Sequence, residues 1–180
     1  MDAAVLLMTV QWVLAAIFAL ALQHKLREPR RFTAAMGAYR LVPEGLLPWA
    51  TWALVSIEAL TCLGLLLLQA WSALASVLLL GLYALAIAIN VLRGRLQIDC
   101  GCGDEPTPVS WALVMRNCGL ILLAGWAWQL HGLQVLSTPP DGLAAGLALA
   151  LALVAVGIYQ AIEQLFANRG RHRRLWLGAQ

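Results

Sequence analysis

The sequence predicts an all-α protein: a polytopic membrane bundle of about five transmembrane helices, with a short amphipathic helix at the membrane interface. Three observations predict it. Hydrophobic residues make up 62% of the 180 residues and charged ones only 12%, whereas a soluble domain is about half apolar and a quarter charged. The apolar residues fall into five runs of spanning length, and the basic residues stand in short blocks between those runs. So little polar surface cannot wrap that much apolar material in water, so lipid must cover it.

A span needs about 20 apolar residues, because each helical residue rises about 1.5 Å through a hydrocarbon core of about 30 Å. Five stretches qualify: Ala3–Leu22, Leu46–Leu68, Leu74–Leu92, Val109–Leu130 and Gly142–Ile162. The first lacks the basic leader of a cleaved signal, since Asp2 precedes it and no Lys or Arg does. It therefore reads as a span, although Ala19-Leu20-Ala21 resembles a cleavage box. The connection around Gln69–Ser72 is so short that the second and third spans must be antiparallel neighbours. The period-two alternation of a barrel is missing, and helices satisfy their own backbone groups in lipid.

The formal net charge of +3 would suit an acidic partner, but the distribution points to topology instead, with no nucleic acid implied. Lys25, Arg27, Arg30, Arg31 and Arg40 occupy the first loop, Arg93 and Arg95 the third, and Arg169, Arg171, Arg173 and Arg174 the tail. The N-terminus and the second and fourth loops have none. The positive-inside rule then puts the N-terminus outside and the C-terminus in the cytoplasm of a cell (inner) membrane. Residues 1–166 form the bundle and residues 167–180 a basic cytoplasmic tail that anchors topology and touches anionic headgroups. In the first loop, Phe32, Ala35, Met36 and Tyr39 recur at i, i+3, i+4 and i+7, between Pro29 and Pro43. This predicts a short amphipathic helix in the interface.

Chemistry is expected at cysteines. Cys62 and Cys118 lie within spans and read as small buried hydrophobes. Their depths of about 24 Å and 15 Å from the cytoplasmic side leave a direct bridge some 9 Å short. Cys100 and Cys102 differ, because Asp99-Cys100-Gly101-Cys102-Gly103-Asp104 is polar and offers nothing apolar to pack a thiol against. Two thiols one residue apart can close a small ring only if the backbone bends, as Gly101 permits. Such a strained disulfide is oxidising and exchanges readily. Arg93 and Arg95 favour thiolate there, while Asp99, Asp104 and Glu105 oppose it. Thr107-Pro108 reads as a helix N-cap followed by proline, which would aim the next helix's positive end at the loop.

Binding of a metal by two thiolates is a second reading of the loop, and a tight turn with idle cysteines is a third. Two ligands are too few for a closed zinc site, and His24, His131 and His172 are poorly placed to add to them. No metal or cofactor is assigned, and a quinone finds no support in the sequence. Two charges lie inside spans, where each costs at least about 2.5–3.5 kcal/mol at mid-membrane. Glu58 is four residues before Cys62 and shares its face. Glu58 at about 18 Å and Arg116 at about 12 Å from the cytoplasmic side are at heights that allow a pair across the bundle. Alternatively Arg116 snorkels to the interface and Glu58 is a protonated, hydrogen-bonded structural residue. Asn117 reads as polar glue between helices.

With these residues in view, the chain resembles the methylamine-utilisation MauE family, a branch of the DoxX-like small membrane proteins. The resemblance is carried, in order, by Lys25-Leu26-Arg27-Glu28-Pro29 with Phe32, Tyr39-Arg40-Leu41-Val42-Pro43, Glu58 with Gly64, Asp99-Cys100-Gly101-Cys102-Gly103, and Arg116-Asn117. In one place the pattern departs: Gly103 follows Cys102 directly, where the family has an aromatic residue. The resemblance implies a role in maturing a disulfide-rich periplasmic client, the small subunit of methylamine dehydrogenase in that family, with a thioredoxin-like partner. Cys100 and Cys102 would then be the thiol-disulfide oxidoreductase pair, supported by Asp99, Gly101, Glu58, Arg116 and Asn117. Rival readings are a membrane protein that binds or transports a metal ion or small molecule, and a non-catalytic maturation scaffold. The charge count puts the cysteine loop on the side opposite the periplasmic client. Reporter fusions at residues 44, 97 and 180 are expected to report cytoplasm and those at residues 69 and 137 the outside; the reverse pattern would invert the topology.

Overall fold

The computed structural model describes residues 2–101, 107–133 and 141–177, and of residues 165–177 the backbone alone. These residues form six α-helices: α1 (Ala3–Arg27), α2 (Pro29–Ala38), α3 (Leu47–Leu66), α4 (Ala70–Leu92), α5 (Trp111–Gly132) and α6 (Gly142–Leu177). A single 3-10 turn, Glu44–Leu46, leads into α3. Five helices are long and apolar enough to cross a membrane. Their large outward-facing apolar residues are mostly Leu, Ile and Trp, with Met115 and Val154, as lipid contact requires.

The five predicted spans are all present, with ends moved. α1 runs on to Arg27, so His24, Lys25 and Arg27 belong to its last turn and not to a loop. α6 continues to Leu177, through most of the basic segment. The expected interfacial helix is α2, but its apolar face is turned inward. Phe32, Ala35 and Tyr39 are buried against the protein and Met36 is half-buried.

α1 is the central helix, packing on α3, α5 and α6 and also touching α2, while α4 packs on α5 and α3. Its buried positions Gln11, Leu14, Ala15, Phe18 and Lys25 recur at three, four and seven residues, which keeps them on one stripe. Leu14, Ala15 and Phe18 meet Cys62 and Leu65 of α3, Leu79 and Leu80 of α4, and Leu120 and Ala124 of α5 in the main core. Alanines Ala148 and Ala152 seat α6 on α1, and small residues of this kind are what allow helices to approach in lipid.

The α3–α4 hairpin is as tight as its sequence predicts. The N–H of Gln69 reaches the carbonyl of Gly64 at 2.8 Å and that of Leu68 reaches Leu65 at 3.2 Å, a Schellman closure with Leu68 at φ +55°. From α1, Gln11 Nε2 donates to the Gln69 carbonyl and Trp12 Nε1 to that of Leu66, so open carbonyls at the end of α3 find partners. A Cβ on Gly64 would lie 2.7 Å from the Trp71 ring and 2.8 Å from Ser72 Cβ. Gly64→Ala is therefore expected to cost about 1–3 kcal/mol by forcing the two helices apart. Denaturant unfolding of purified protein checks this, and wild-type stability would show that the hairpin can yield.

Candidate functional site

At the end of the bundle where α4 finishes and α5 begins, the chain makes a small paired turn. The N–H of Cys100 donates to the Thr107 carbonyl at 2.8 Å and that of Val109 to Ile98 at 3.0 Å. This sets Asp99 opposite Pro108 in an antiparallel bridge. Proline is tolerated there because neither bond asks it for an N–H. The expected helix start at Thr107-Pro108 is thus corrected. Ser110 is the N-cap residue and Trp111 the first helical one, because Pro108 is held in the bridge.

Asp99 holds the turn together. Its Oδ1 accepts from the backbone N–H of Gly101 at 3.2 Å and of Thr107 at 3.0 Å. Its Oδ2 accepts from Arg31 Nη2 of α2 at 3.1 Å. Contrary to the expectation that the loop offers a thiol nothing apolar, Cys100 is buried among Tyr39, Ile87, Ile98, Val109 and Leu113, which α2's end, α4, the turn itself and α5 bring together. Gly101 follows at φ +71°, a conformation that side chains disfavour. A methyl there would also meet Ala35 Cβ at 3.2 Å and Phe32 Cδ2 at 3.4 Å. α2 therefore lies across the turn, and glycine is favoured by the backbone angle and by the tight space beneath α2. Beside it a shallow groove of about 560 Å³ opens between Arg31, Ala34 and Ala38 of α2 and the segment from Gly94 to Asp99. Cys102, Asp104 and Glu105 lie outside the described residues.

Glu58 has a different partner from the one its depth allowed. Lys25 Nζ donates to both carboxylate oxygens, at 2.5 and 2.6 Å, and Tyr83 Oη donates to Oε1 at 2.9 Å. Lys25 is 3% exposed and Glu58 0%, so this is an ion pair in the interior and not a surface bridge. The ammonium also sits 4.9 Å from the ring centres of Phe32 and Tyr83, within reach of a cation–π attraction. Phe32 thus stands between the buried pair and the cysteine turn. The other intramembrane charge, Arg116, bonds Glu163 of α6 at 3.2 Å. The proposed Glu58–Arg116 pair is therefore replaced by two separate pairs, each joining neighbouring helices.

Asn117 is buried, but among the described residues its Nδ2 finds no hydrogen-bond partner, so there the amide nitrogen joins no second helix. Cys62 is buried with Sγ 3.4 Å from the Ala15 carbonyl. Cys118, expected to be buried, is exposed on the outer face of α5. The structure therefore brings together Asp99, Cys100 and Gly101 with Arg31 and Phe32 over the buried Lys25–Glu58 pair and the half-buried Tyr83. It leaves Arg116, bonded to Glu163 of α6, and Asn117 outside this group. Lys25 was hidden in the sequence as a loop charge, although it continues the seven-residue spacing of Gln11 and Phe18 and so falls on the buried stripe.

Together these features define a multi-pass helical membrane protein with a cysteine turn clamped at one end of its bundle. The sequence profile of the methylamine utilisation protein MauE family matches residues 3–130, and the chain belongs to that family. It is 41% identical over 115 residues to "Methylamine utilization protein MauE" of Paracoccus denitrificans, covering 62% of each chain. The similarity to the protein of the same name from Methylophilus methylotrophus is 30% over 158 residues, covering 83% of this chain and 80% of that one. The chain thus spans less than two thirds of the length of the Paracoccus relative. No solved structure matches it.

Removing one partner from a buried ion pair strands the other, at about 3–5 kcal/mol. Lys25→Met and Glu58→Leu should each destabilise the bundle by that order, and the double variant by less than either. Unfolding curves of the three variants check this; additive losses would show that the two side chains do not act as a pair.

Proposed function

We propose that this protein is an inner-membrane thiol-redox factor of methylamine utilisation, in which Cys100 and Cys102 exchange a disulfide with a thioredoxin-like partner during maturation of a disulfide-rich periplasmic client. The observation that carries the reading is the construction of the turn. An aspartate, a left-handed glycine and a covering helix all fix the backbone at Cys100, over and above the apolar contacts that bury its side chain. The family membership supports the link to methylamine utilisation. The groove along α2 offers room for a partner's chain beside the turn.

The exchange balances as two electrons and two protons. A thiolate of the pair attacks the partner's disulfide, forming a mixed disulfide and releasing one partner thiolate. The second cysteine then attacks the mixed disulfide, leaving a Cys100–Cys102 disulfide and a partner dithiol. The same steps in reverse oxidise the partner. Glu58 and Lys25 keep the helices under the turn in register.

Withdrawing Lys25 from the loop count leaves Arg27, Arg30, Arg31 and Arg40 on the same side, so the charge rule still places the turn in the cytoplasm. On this reading, reducing equivalents reach a periplasmic client through the bundle or through the partner.

Two measurements test the proposal. Cys100→Ser with Cys102→Ser should lower client maturation at least about tenfold, as loss of a nucleophile requires, while the protein still accumulates in the membrane. Alkylation of native membranes should also trap the pair in both oxidised and reduced forms. Normal maturation without the two thiols would leave a scaffold role instead.

A further inference from the structure

The carboxylate of Asp99 is next to Cys100 in the chain and bonds the N–H of Gly101 on its far side. Its negative charge is therefore held inside the turn that carries the thiol. Asp104 and Glu105 follow in the sequence. Left alone, such charge works against a thiolate, which is the attacking species.

The elements packed around the turn supply few cations. From α1, Lys25 is engaged by Glu58 of α3 and is screened from the turn by Phe32. Past the end of α4, Arg95 lines the far side of the groove and donates to Asn90, with Arg93 close by in sequence. The first turn of α5, Trp111–Val114, carries no ionisable group. α2 contributes Arg31, which reaches Asp99 at 3.1 Å and Glu28 at 3.3 Å, and its C-cap Tyr39 is buried beside Cys100.

We propose that Arg31 is a positioning residue for the Cys100 thiol, acting through Asp99: it offsets the carboxylate's charge and ties the turn to α2, so that the buried Cys100 ionises more readily to the attacking thiolate. The proposal rests on the thiol-exchange reading. It assigns α2 a role beyond covering the bundle, because the residue next to Phe32 in sequence then sets the electrostatics of the turn while Phe32 sets its position.

The test is the rate of alkylation of Cys100 by a small reagent as a function of pH, in the full-length protein with Cys62, Cys102 and Cys118 replaced by alanine. Arg31→Gln removes the cation and leaves the carboxylate, so the midpoint should move to higher pH and the rate below it should fall roughly three- to tenfold. Asp99→Asn keeps an oxygen for the N–H groups of Gly101 and Thr107 but removes the charge, so the midpoint should move to lower pH. The double variant should return close to the parent, and Arg31→Lys should stay near it. Shifts of opposite sign are the signature, since a loss of packing alone would not reverse direction between the two variants.

Midpoints that stay put, or that move the same way in both, overturn the proposal. If Arg31→Gln does not accumulate, Asp99→Asn decides alone by the direction of its shift. A native pair that never forms a disulfide would instead refute the thiol-exchange reading, whatever the midpoints show.

Discussion

A single buried ion pair, Lys25 with Glu58, constrains the rest of the molecule. Neither charge can be left alone in an apolar interior, so each must be delivered to the other at hydrogen-bonding distance. That requirement sets the register of α1 against α3, and Tyr83 adds α4 by donating to the same carboxylate. Three helices are therefore aligned by one buried polar contact, beside a main core that is apolar and tolerant of sliding. In lipid, where exposed and buried side chains are equally greasy, such a contact specifies geometry in a way that hydrophobicity does not.

The same pair determines where the cysteine turn sits. Phe32 stacks over the ammonium of Lys25 and also lies 3.4 Å from where a Cβ on Gly101 would be. α2 is thus fixed from below by the ion pair, at its side by the Thr33–Thr51 contact, and from above by Arg31 on Asp99. An amphipathic helix free to lie on the bilayer would have its apolar face in lipid. Here that face is satisfied by protein, because Lys25, Gly101 and the Cys100 cluster give Phe32, Ala35 and Tyr39 better-defined partners than acyl chains do.

The distribution of polar groups also divides the bundle into two ends. At the cysteine end, charged side chains do the joining: Lys25–Glu58, Arg31–Asp99 and Arg116–Glu163. At the other, neutral groups close the α3–α4 hairpin through Gln11, Gln69 and Ser72. The charged end is where a reaction involving thiolates would need fixed countercharges, and the neutral end is built for closure.

The helical class, the five spans and the tight hairpin were legible in the sequence, because hydropathy and length are local and the bilayer sets a fixed thickness. The glycine-flanked Asp99-Cys100-Gly101 stood out in the sequence as a polar loop, but the apolar cluster that buries Cys100 did not, because its members from α4, α5 and the end of α2 meet only in the fold. Partner choice was not legible. Depth along a helix allowed Glu58 and Arg116 to meet, and only the rotation of α1, α3 and α5 about their axes gave Glu58 to Lys25 and Arg116 to Glu163. Lys25 looked like a loop charge because helix ends cannot be read from hydropathy once a basic residue appears, and Pro108 looked like a helix start because the Ile98–Val109 pairing is set by hydrogen bonds across the turn. Sequence determined what must lie in lipid and which residues were chemically out of place. Tertiary structure alone decided which of them meet, because a charge pairs across space and the hydrophobic pattern records only which face is covered.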